Sequence, residues 1–490
     1  MRTHDIPAGI LPTQRGLYYG GAWHAPKAGV YLETINPTYN EAITTAPVAD
    51  ADDVDAAVRA AHAAFPAWVA TPPVERGRYL RKAAAVLREH ALPLAQLDSL
   101  NNGNPVSALA MDAGFAADCL EYFAGLATEI KGETIPMGDG NFNYTLQEPL
   151  GVVARIVAYN HPFMFAAARL AAPLAAGNTV VVKSPDQAPL SILRLAELVG
   201  DIFSPGVANF LCGGRECGDA LGRHPLVSKI TLIGGVPTGK AVMKTASDNL
   251  KPVLLELGGK NGLVAYPDAD IDKLVNGIIA GMNFTWSGQS CGSTSRVFLH
   301  ESIHDAVLEK VVKLLPERHK PGIPTDPRTT MGSLVSRAQL EKVKRYVAIG
   351  LEDGGRLVCG GRQPDDPALK DGFFYEATVF ADMQPHMRLA QEEVFGPVMS
   401  VFRWSNEDAL WDAVNGVDFG LTGSIWTQNL NTAHRAAKRI HTGYVWINNV
   451  SQHFMGAPFG GVKQSGIGRE ECFAELLEFT YTKNVNLKLG

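Results

Sequence analysis

Short β-branched runs alternate with helical segments between residues 150 and 250 of this 490-residue chain. Residues 151–158 and 179–183 have strand patterns, and the stretch 163–176 between them has a helical pattern. The second run, Thr-Val-Val-Val-Lys, is typical of a strand that is buried on both faces. Strands that are joined through helices lie parallel in one sheet. The sequence therefore predicts an α/β fold built on a doubly wound parallel sheet.

The alternation continues beyond this segment. Strands are predicted at 208–212 and 228–233, and a glycine loop and a helix follow the second of them. The tail, 479–489, alternates like a strand and needs a partner edge, which another subunit can provide. Helices are predicted from residue 51 to Pro66, which should end the first of them, and at 76–91 and 105–130. A second α/β series begins near residue 260, with strands predicted at 296–300, 377–380, 398–403, 422–427 and 444–448.

Composition and charge weigh against several classes of protein. The 44 basic and 50 acidic residues give a formal charge of −6, whereas a protein that binds nucleic acid is normally basic. The apolar stretch 163–182 contains Arg169, Pro173 and Asn178, which a membrane-spanning helix tolerates poorly. The six cysteines form no CxxC pair and no ligand set for a metal. We therefore expect a cytoplasmic protein without nucleic acid, membrane or metal partners.

Cys291 is a candidate nucleophile. It lies in the small, polar run Gly-Gln-Ser-Cys-Gly-Ser-Thr-Ser. A lone cysteine is usually a small core residue. A tight polar turn instead suits an accessible thiol, and a nucleophilic thiolate needs both access and nearby hydrogen-bond donors.

Three other segments carry candidate functional groups, and each is ambiguous when taken alone. Glu256 lies in the apolar run 253–257, either as a carboxylate paired at a sheet edge or as a general base whose pKa an apolar setting raises. Asn160 follows a strand and is either a turn residue or an amide that stabilises an oxyanion. The loop from Gly234 to Gly239 precedes a helix whose N-terminus can face a pyrophosphate, although it matches neither GxGxxG nor a Walker motif.

Taken together, these four segments resemble the aldehyde dehydrogenase superfamily, and the resemblance covers nearly the whole chain. It also includes the stretches 182–186, 205–207, 391–398 and 458–470. The resemblance implies a three-part subunit that assembles into a homodimer or homotetramer. The implied parts are a Rossmann-like dinucleotide-binding domain (1–130 and 150–257), an α/β catalytic domain (258–475) and a small bridging β-sheet that joins subunits (131–149 and 476–490).

The resemblance also assigns roles to individual residues. Cys291 would be the nucleophile and Glu256 the general base. The side-chain amide of Asn160 and the backbone N–H of Cys291 would bind the oxyanion. The residues implied in cofactor binding are Tyr159, Lys183, Asp186, Gly234, Gly235, Gly239, Gln339, Lys342, Glu393 and Phe395.

The implied reaction is the oxidation of an aldehyde to the carboxylate with NAD. Cys291 adds to the aldehyde carbon, hydride leaves to the nicotinamide, and water activated by Glu256 hydrolyses the thioester that remains. Family members that form acyl-CoA generally lack a carboxylate at the position of Glu256, so its presence favours hydrolysis. Asp186 replaces the usual Glu near the adenine ribose. A carboxylate there disfavours a 2′-phosphate and therefore favours NAD over NADP.

The family pattern places a further set of residues around the aldehyde. Their size and aromatic character favour a bulky or aromatic aldehyde, and the histidines and arginine either meet a polar or anionic group or are rim residues. Ala168 stands where members that oxidise betaine aldehyde often carry Trp. The alanine argues against betaine aldehyde, which is kept as an alternative substrate together with general aliphatic aldehydes. The implied substrate residues are His161, Phe165, Arg169, Thr285, His453, Phe459 and Phe115.

Two other classes of function stay open at this point. A catalytically silent scaffold can keep the fold, but it has no reason to retain Cys291, Glu256, Asn160, Lys183 and Glu393 together. A thiol esterase needs only Cys291 and Glu256. Ester turnover without NAD would distinguish the esterase.

Overall fold

The computed structural model describes residues 1–488. The first 149 residues form two hairpins, a group of helices and two strands of a small sheet. The helices are α1 (Ala51–Ala70), α2 (Pro73–Glu89), α3 (Ala91–Asn102), α4 (Val106–Leu109) and α5 (Asp112–Leu126). The strands are β1 (Leu17–Tyr19), β2 (Ala22–His24), β3 (Tyr31–Asn36), β4 (Glu41–Pro47), β5 (Thr134–Ile135) and β6 (Asn141–Pro149).

The next hundred residues alternate strand and helix. The strands are β7 (Val152–Ile156), β8 (Thr179–Lys183), β9 (Ala208–Leu211), β10 (Val227–Ile233) and β11 (Val253–Glu256). The helices between them are α6 (Pro162–Ala168), α7 (Ala171–Ala176), α8 (Leu190–Val199), α9 (Arg215–Arg223) and α10 (Val236–Ser247).

The remaining residues form the second α/β series and the tail. The helices are α11 (Ile271–Gly281), α12 (Glu301–Arg318), α13 (Arg337–Glu352), α14 (Arg388–Gln391), α15 (Glu407–Asn415), α16 (Leu430–Arg439) and α17 (Phe473–Leu477). The strands are β12 (Gly262–Ala265), β13 (Arg296–His300), β14 (Arg356–Cys359), β15 (Thr378–Ala381), β16 (Val398–Trp404), β17 (Phe419–Gly420), β18 (Thr422–Trp426), β19 (Tyr444–Ile447), β20 (Val462–Lys463), β21 (Gly466–Ile467) and β22 (Thr480–Lys488).

The first large sheet has the strand order β2-β1-β9-β8-β7-β10-β11-β21. The strands from β9 to β11 are parallel, as predicted, and β1 and β21 join them antiparallel. The first of the parallel strands in the sequence is β7. The chain then places β8 and β9 on one side of β7 and places β10 and β11 on its other side. The direction of winding thus reverses between β7 and β10. At such a point the carboxyl ends of the strands flank the crevice in which doubly wound sheets bind ligands.

Both faces of this sheet are buried. Val153 and Val182 pack in one core cluster, whereas Val152 and Val181 pack in a second cluster on the opposite face. Because successive side chains of a strand point to opposite faces, only a continuously apolar run can serve both clusters. The prediction that 179–183 is a buried strand is confirmed.

The second large sheet has the order β14-β15-β16-β13-β12-β18-β19 and is parallel except for β14. Strands β12, β13 and β16 are neighbours, so their amino ends lie side by side. The segments that lead into these three strands carry Lys260, Cys291 and Glu393.

Three helix predictions are wrong in detail, and a proline is involved in two of them. Pro66 does not end α1, which continues to Ala70 because buried Trp68 anchors its last turn through a 3.2 Å hydrogen bond from Nε1 to Leu174 O. Conversely, the predicted helix 163–176 is divided into α6 and α7 at Arg169. Pro173 has no N–H with which to satisfy the Arg169 carbonyl, which lies four residues before it. The predicted helix 105–130 is likewise two helices, α4 and α5.

The tail strand has a partner edge within its own chain, and its other edge stays a candidate for pairing with another subunit. Strand β22 pairs antiparallel with β6 along nine residues, from Thr480 opposite Pro149 to Lys488 opposite Asn141. Strand β5 completes a three-stranded sheet on the far side of β6. Leu489 and Gly490, the end of the predicted bridging segment, lie outside the described residues.

Across residues 1–488, every helix is too short or too polar to span a lipid bilayer.

Candidate active site

Four predicted site segments meet at the carboxyl edge of the first sheet. Asn160 follows β7, Lys183 ends β8, the Gly234–Gly235 pair follows β10, and Glu256 ends β11. These four strands are adjacent in the sheet, and β7 and β10 flank the winding reversal. The strand pattern of the sequence therefore brings side chains about a hundred residues apart to one edge.

Cys291 approaches this edge from the second sheet. The turn before it is tight, with left-handed backbone at Ser287 and Gly288. A Cβ on Gly288 would lie 2.2 Å from Gly396 O, so this position accepts only glycine. After the turn, Asn261 Nδ2 donates to Cys291 O (2.7 Å) and to Ser293 O (2.9 Å). The thiol is thus carried on a fixed loop and is half-buried.

One cavity of about 320 Å³ joins the two sheets at this place. Its wall contains the three predicted catalytic residues, Cys291, Glu256 and Asn160, together with most of the predicted cofactor residues. The cofactor residues in the wall are Tyr159, Lys183, Asp186, Gly234, Gly235, Gln339, Lys342, Glu393 and Phe395.

Gly239 does not line this cavity. It lies inside α10 and is buried. A Cβ at this position would lie 2.6 Å from a methyl carbon of Leu257, so the glycine lets α10 pack closely against the end of β11.

The environment of Cys291 disfavours the thiolate. Burial, followed by the nearby carboxylates of Glu256 and Glu393, raises the pKa of the thiol to about 12. The backbone N–H groups of Cys291 and Gly292 act in the opposite direction. The thiol therefore needs a base, or a nearby positive charge, before it reacts as a nucleophile.

Glu256 has the properties of such a base. Among the described residues neither of its carboxylate oxygens has a hydrogen-bond partner, although both are buried. Burial, and then the negative charge of Glu470, raise the pKa of Glu256 well above its usual value. A carboxylate with a raised pKa and free lone pairs accepts a proton readily from a thiol or from water.

The cofactor side of the cavity offers groups that suit a dinucleotide. Helix α10 begins at Val236 with no side-chain cap, and Gly234, Gly235 and Thr238 around its N-terminus line the cavity, which suits a pyrophosphate. Lys183 Nζ is occupied only by Ser184 O at 2.9 Å, and Asp186 beside it is exposed. Glu393 accepts the Gly259 N–H at 2.9 Å and keeps a second oxygen for a ribose hydroxyl. The residues therefore fit NAD.

Aromatic and amide groups shape the part of the cavity wall that Tyr159, Gln339 and Phe395 form. The rings of Tyr159 and Phe395 meet edge to face, with centroids 5.9 Å apart. Phe395 has left-handed backbone, and Gln339 Nε2 holds this strained loop by donating to Val394 O (3.1 Å) and Phe395 O (2.6 Å). Burial lowers the pKa of neighbouring Lys342.

The predicted substrate residues fall into two groups. In the first, the His161 ring lies 4.8 Å from Trp286 and 5.8 Å from Phe165, and its Nδ1 is 2.8 Å from Asp112 Oδ2. Burial lowers the pKa of His161, but the charge and hydrogen bond of Asp112 outweigh burial, so the pKa is raised. Thr285 precedes Trp286 in the same 3₁₀ turn.

The second group lies around Glu470 and Glu471, which follow strand β21 in the chain. Arg169 is buried, and its Nη2 lies 2.8 Å from Glu470 Oε2. His453 Nδ1 lies 3.0 Å from Glu471 Oε2, and its ring lies 4.5 Å from Phe459. Arg169 is thus engaged by protein carboxylates, whereas His453 stays partly exposed. Phe115 lies on α5, half-buried against the helical core.

Sequence reasoning missed several residues that hold the site. Asn102 and Asn104 both donate to the backbone carbonyl of Asn160, at 3.2 and 2.7 Å. Asn261 holds the Cys291 loop, and Asp112 orients His161. The polar run Asn-Asn-Gly-Asn-Pro at the end of a helix was the only visible signal for the first two. Within the described chain, no cluster of three or more His, Cys, Asp or Glu side chains can hold a metal.

Comparisons with known proteins agree with this geometry. A model described as the aldehyde dehydrogenase family matches residues 23–485. The aldehyde dehydrogenase tropH of Talaromyces stipitatus is 53% identical over 486 residues, which cover 98% of this chain and 94% of that protein. A betaine aldehyde dehydrogenase of Mesorhizobium japonicum is 41% identical over 475 residues, which cover 96% of this chain and 97% of that protein.

Solved structures give the same result. PnpE from Pseudomonas sp. WBC-3 superposes with a TM-score of 0.95 at 41% identity, over 97% of this chain and 98% of that chain, and its structure is also known with nicotinamide adenine dinucleotide. The NAD⁺ complex of an aldehyde dehydrogenase from Bacillus cereus has a TM-score of 0.95 at 35% identity, over 99% of both chains. Family model, relatives and fold agree, and this chain is an enzyme of the aldehyde dehydrogenase family.

Proposed function

We propose that this enzyme oxidises an aldehyde to the carboxylate with NAD, through a covalent intermediate on Cys291. The observation that carries the proposal is the single cavity whose wall holds Cys291, Glu256 and Asn160 beside the residues that suit a dinucleotide. Neither an esterase nor a silent scaffold needs both sets of groups together.

The first half of the reaction uses Cys291 and Asn160. The Cys291 thiol gives its proton to the Glu256 carboxylate, which passes it on to solvent. The sulfur then adds to the aldehyde carbon, so that a C–S bond forms and the carbonyl oxygen becomes an oxyanion. The Asn160 amide and the Cys291 N–H donate to that oxyanion, and this stabilises the charge where it develops. Bound NAD supplies the acceptor for the hydride that leaves the same carbon. The product on Cys291 is a thioester.

The second half uses Glu256. Its carboxylate takes a proton from water while the water oxygen attacks the thioester carbon. The C–S bond then breaks, which releases the carboxylic acid and regenerates the cysteine sulfur. The buried position of Glu256 supports this role, because a base with a raised pKa holds the proton of water more readily.

We propose a bulky or aromatic aldehyde that carries a polar group as the substrate. Two aromatic clusters support this choice: His161 with Trp286, and His453 with Phe459. Each histidine is oriented by a carboxylate, Asp112 or Glu471, which leaves the other ring nitrogen for a ligand. Betaine aldehyde is the second candidate, since relatives at about 40% identity carry that name.

We propose NAD over NADP, a homodimer or homotetramer, and a cytoplasmic location. The exposed carboxylate of Asp186 in the cofactor cavity supports NAD, because it would repel a 2′-phosphate. Exposed apolar residues on the β5-β6-β22 sheet, such as Phe142 and Leu487, support assembly through that sheet. Six cysteines without disulfide partners support a reducing compartment.

The test is NADH absorbance with purified enzyme, NAD or NADP, and a panel of aldehydes: aliphatic, benzaldehyde-type, carboxylated aromatic and betaine. We expect NAD reduction that Cys291→Ala abolishes and that Cys359→Ala, a half-buried thiol far from the cavity, leaves intact. Highest kcat/KM with the carboxylated aromatic aldehyde supports the proposed substrate, and a maximum with betaine aldehyde selects the alternative. Ester hydrolysis without aldehyde turnover would identify a thiol esterase, and bound NAD with neither activity a silent scaffold.

A further inference from the structure

The backbone of Asn160 is clamped by a turn from the end of α3, here called the Asn102–Asn104 turn. The Asn160 carbonyl accepts Asn102 Nδ2 at 3.2 Å and Asn104 Nδ2 at 2.7 Å. The turn is itself closed, because the Asn104 N–H donates to Asn102 Oδ1 at 2.9 Å. All three asparagines are buried. Asn160 lines the cavity, so these two hydrogen bonds to its carbonyl fix the backbone from which its side chain extends.

The same turn contacts the segment 332–335 of the catalytic half. Gly103 has left-handed backbone with φ +85°, and its carbonyl accepts the Ser333 N–H at 2.9 Å. A Cβ on Gly332 would lie 2.1 Å from Gly103 O, and a Cβ on Gly103 would lie 2.1 Å from Ser333 Oγ. The two backbones are therefore in direct contact, with no room for a side chain between them.

Segment 332–335 in turn holds the loop that carries Cys291. Ser287 Oγ donates to Gly332 O at 2.7 Å. Gln289, two residues before the nucleophile, donates through Nε2 to Ser333 O at 3.3 Å and accepts the Val335 N–H at 3.1 Å through Oε1. A continuous hydrogen-bonded path therefore runs from Asn160 through the Asn102–Asn104 turn to the Cys291 loop.

We propose that the Asn102–Asn104 turn is a positioning element that fixes the two donors of the oxyanion site, the Asn160 amide and the Cys291 N–H, relative to each other. The inference rests on the proposed function for the roles of those two groups. The donors come from different sheets, so the local fold of neither sheet sets their separation. A displacement of about 1 Å in such a site costs on the order of 10²-fold in rate, which gives the path a direct effect on catalysis.

The test compares reaction at a carbonyl carbon with reaction at a saturated carbon. In Asn104→Ala we expect kcat/KM for the aldehyde to fall about tenfold to a hundredfold, and acylation of Cys291 by a nitrophenyl ester to fall in parallel, because both form an oxyanion. Alkylation of Cys291 by iodoacetamide forms no oxyanion and should stay within about twofold of wild type. The Kd of NAD, measured by calorimetry, should not change.

Asn209→Ala is the matched control. Asn209 is buried and its amide donates to two backbone carbonyls, Val180 O at 3.0 Å and Gly206 O at 2.8 Å, far from the cavity. We expect this variant to lower the melting temperature. The rates of ester acylation and of iodoacetamide alkylation at Cys291 should keep their wild-type ratio. Asn104→Asp keeps the shape but places an oxygen against the Asn160 carbonyl, and it should lose at least as much ester reactivity as Asn104→Ala.

A double-mutant comparison gives the decisive readout. If the turn acts through Asn160, adding Asn104→Ala to an Asn160→Ala variant causes no further fall in the rate of ester acylation or in kcat/KM for the aldehyde. Equal losses in both backgrounds, or a parallel fall in iodoacetamide alkylation, would overturn the inference while leaving the proposed function intact. Absence of aldehyde turnover in the wild type would instead refute the proposed function, and the ester assay would still test the turn. If Asn104→Ala does not fold, the milder Asn104→Ser takes its place in each comparison.

Discussion

Glu256 is a residue whose position is costly for the folded chain. Its carboxylate is buried with no hydrogen-bond partner among residues 1–488, and its pKa is raised well above 4.5 by burial and by Glu470. A carboxyl with a higher pKa in the folded than in the unfolded chain contributes stability that is present below the unfolded pKa. That stability is lost as the pH rises through the folded pKa. The folded chain is therefore less stable at neutral and higher pH than it would be without this buried carboxylate, and the same burial makes Glu256 a stronger base.

We therefore expect Glu256→Gln to match the wild-type melting temperature at low pH, where the wild-type carboxyl is protonated. At about pH 8 the variant should be more stable by about 1–3 °C. Turnover should fall about 10²-fold or more, and the first burst of NADH should slow as well, because the base for both the thiol and the hydrolytic water is gone. Scanning fluorimetry across pH and stopped-flow absorbance measure the two effects.

Glu407→Gln is the control of opposite sign. Burial raises the pKa of Glu407, but hydrogen bonds from Tyr266 and Trp411 outweigh burial, so its pKa is lowered. The ionised Glu407 carboxylate therefore contributes stability to the folded chain above its unfolded pKa, and this stability is lost as the pH falls through the folded pKa. The variant should accordingly be less stable than wild type at about pH 8. If Glu256→Gln is also destabilised there, the charge of Glu256 is not the costly feature.

Asp186 governs the choice of nicotinamide cofactor in our proposal. Replacing it by Ser removes a negative charge from the ribose end of the cavity. We expect the ratio of kcat/KM for NAD to that for NADP to fall by about tenfold or more. Asp219→Ser, on the exposed face of α9, should not move this ratio. An unchanged ratio in Asp186→Ser would show that another group excludes the 2′-phosphate.

At the level of elements, helix α1 shows that tertiary packing can outweigh the low helix propensity of a proline. Pro66 is exposed in the interior of this helix, where a proline costs about 3 kcal/mol. It also restricts the unfolded chain, which offsets part of that cost. We expect Pro66→Ala to raise the free energy of unfolding by about 1–2 kcal/mol in urea denaturation.

Pro73→Ala is the matched control, because Pro73 occupies the first position of α2. A missing N–H is harmless there, so the substitution should give no gain. Equal effects of the two changes would mean that the Pro66 position carries no special strain.

The same comparison of elements explains what the sequence could predict. Strands such as β8 were predictable because burial on both faces demands a continuous β-branched run. The end of α1 was not, because the contact of Trp68 with Leu174 is invisible in the local pattern. The clamp on Asn160 was missed for a similar reason, since its acceptor is a backbone carbonyl that no residue type reveals. Loops that follow strands were predictable, and contacts between distant loops were not.

At the level of the whole molecule, the β5-β6-β22 sheet is the candidate surface for assembly. Phe142 of β6 lies opposite Leu487 of β22, and both side chains are about half exposed, as is Tyr481. Strand β22 is also the edge of this sheet, with one side unpaired in the described chain. An apolar face and a free strand edge together favour pairing with a second copy.

We expect light scattering to give at least twice the mass of one chain. Asp substitutions at Phe142 and Leu487 together should shift the protein towards the monomer, because they place charge in the apolar face. Leu430→Asp, at a more exposed leucine on α16, is the control and should leave the mass unchanged. A monomeric wild type would contradict the proposed assembly.

Arg155 of β7 links the central sheet to a much later part of the chain. Its guanidinium is fully buried and lies 3.3 Å from Glu470 Oε1 and 3.1 Å from Glu475 Oε1. A ribosome that adds about 5–20 residues per second reaches those acids tens of seconds after it makes Arg155. Until then the Arg155 guanidinium lacks both counter-ions, and a buried charge without its partners is costly. We therefore expect the first sheet to reach its final stability only after residues 470–475 have been synthesised.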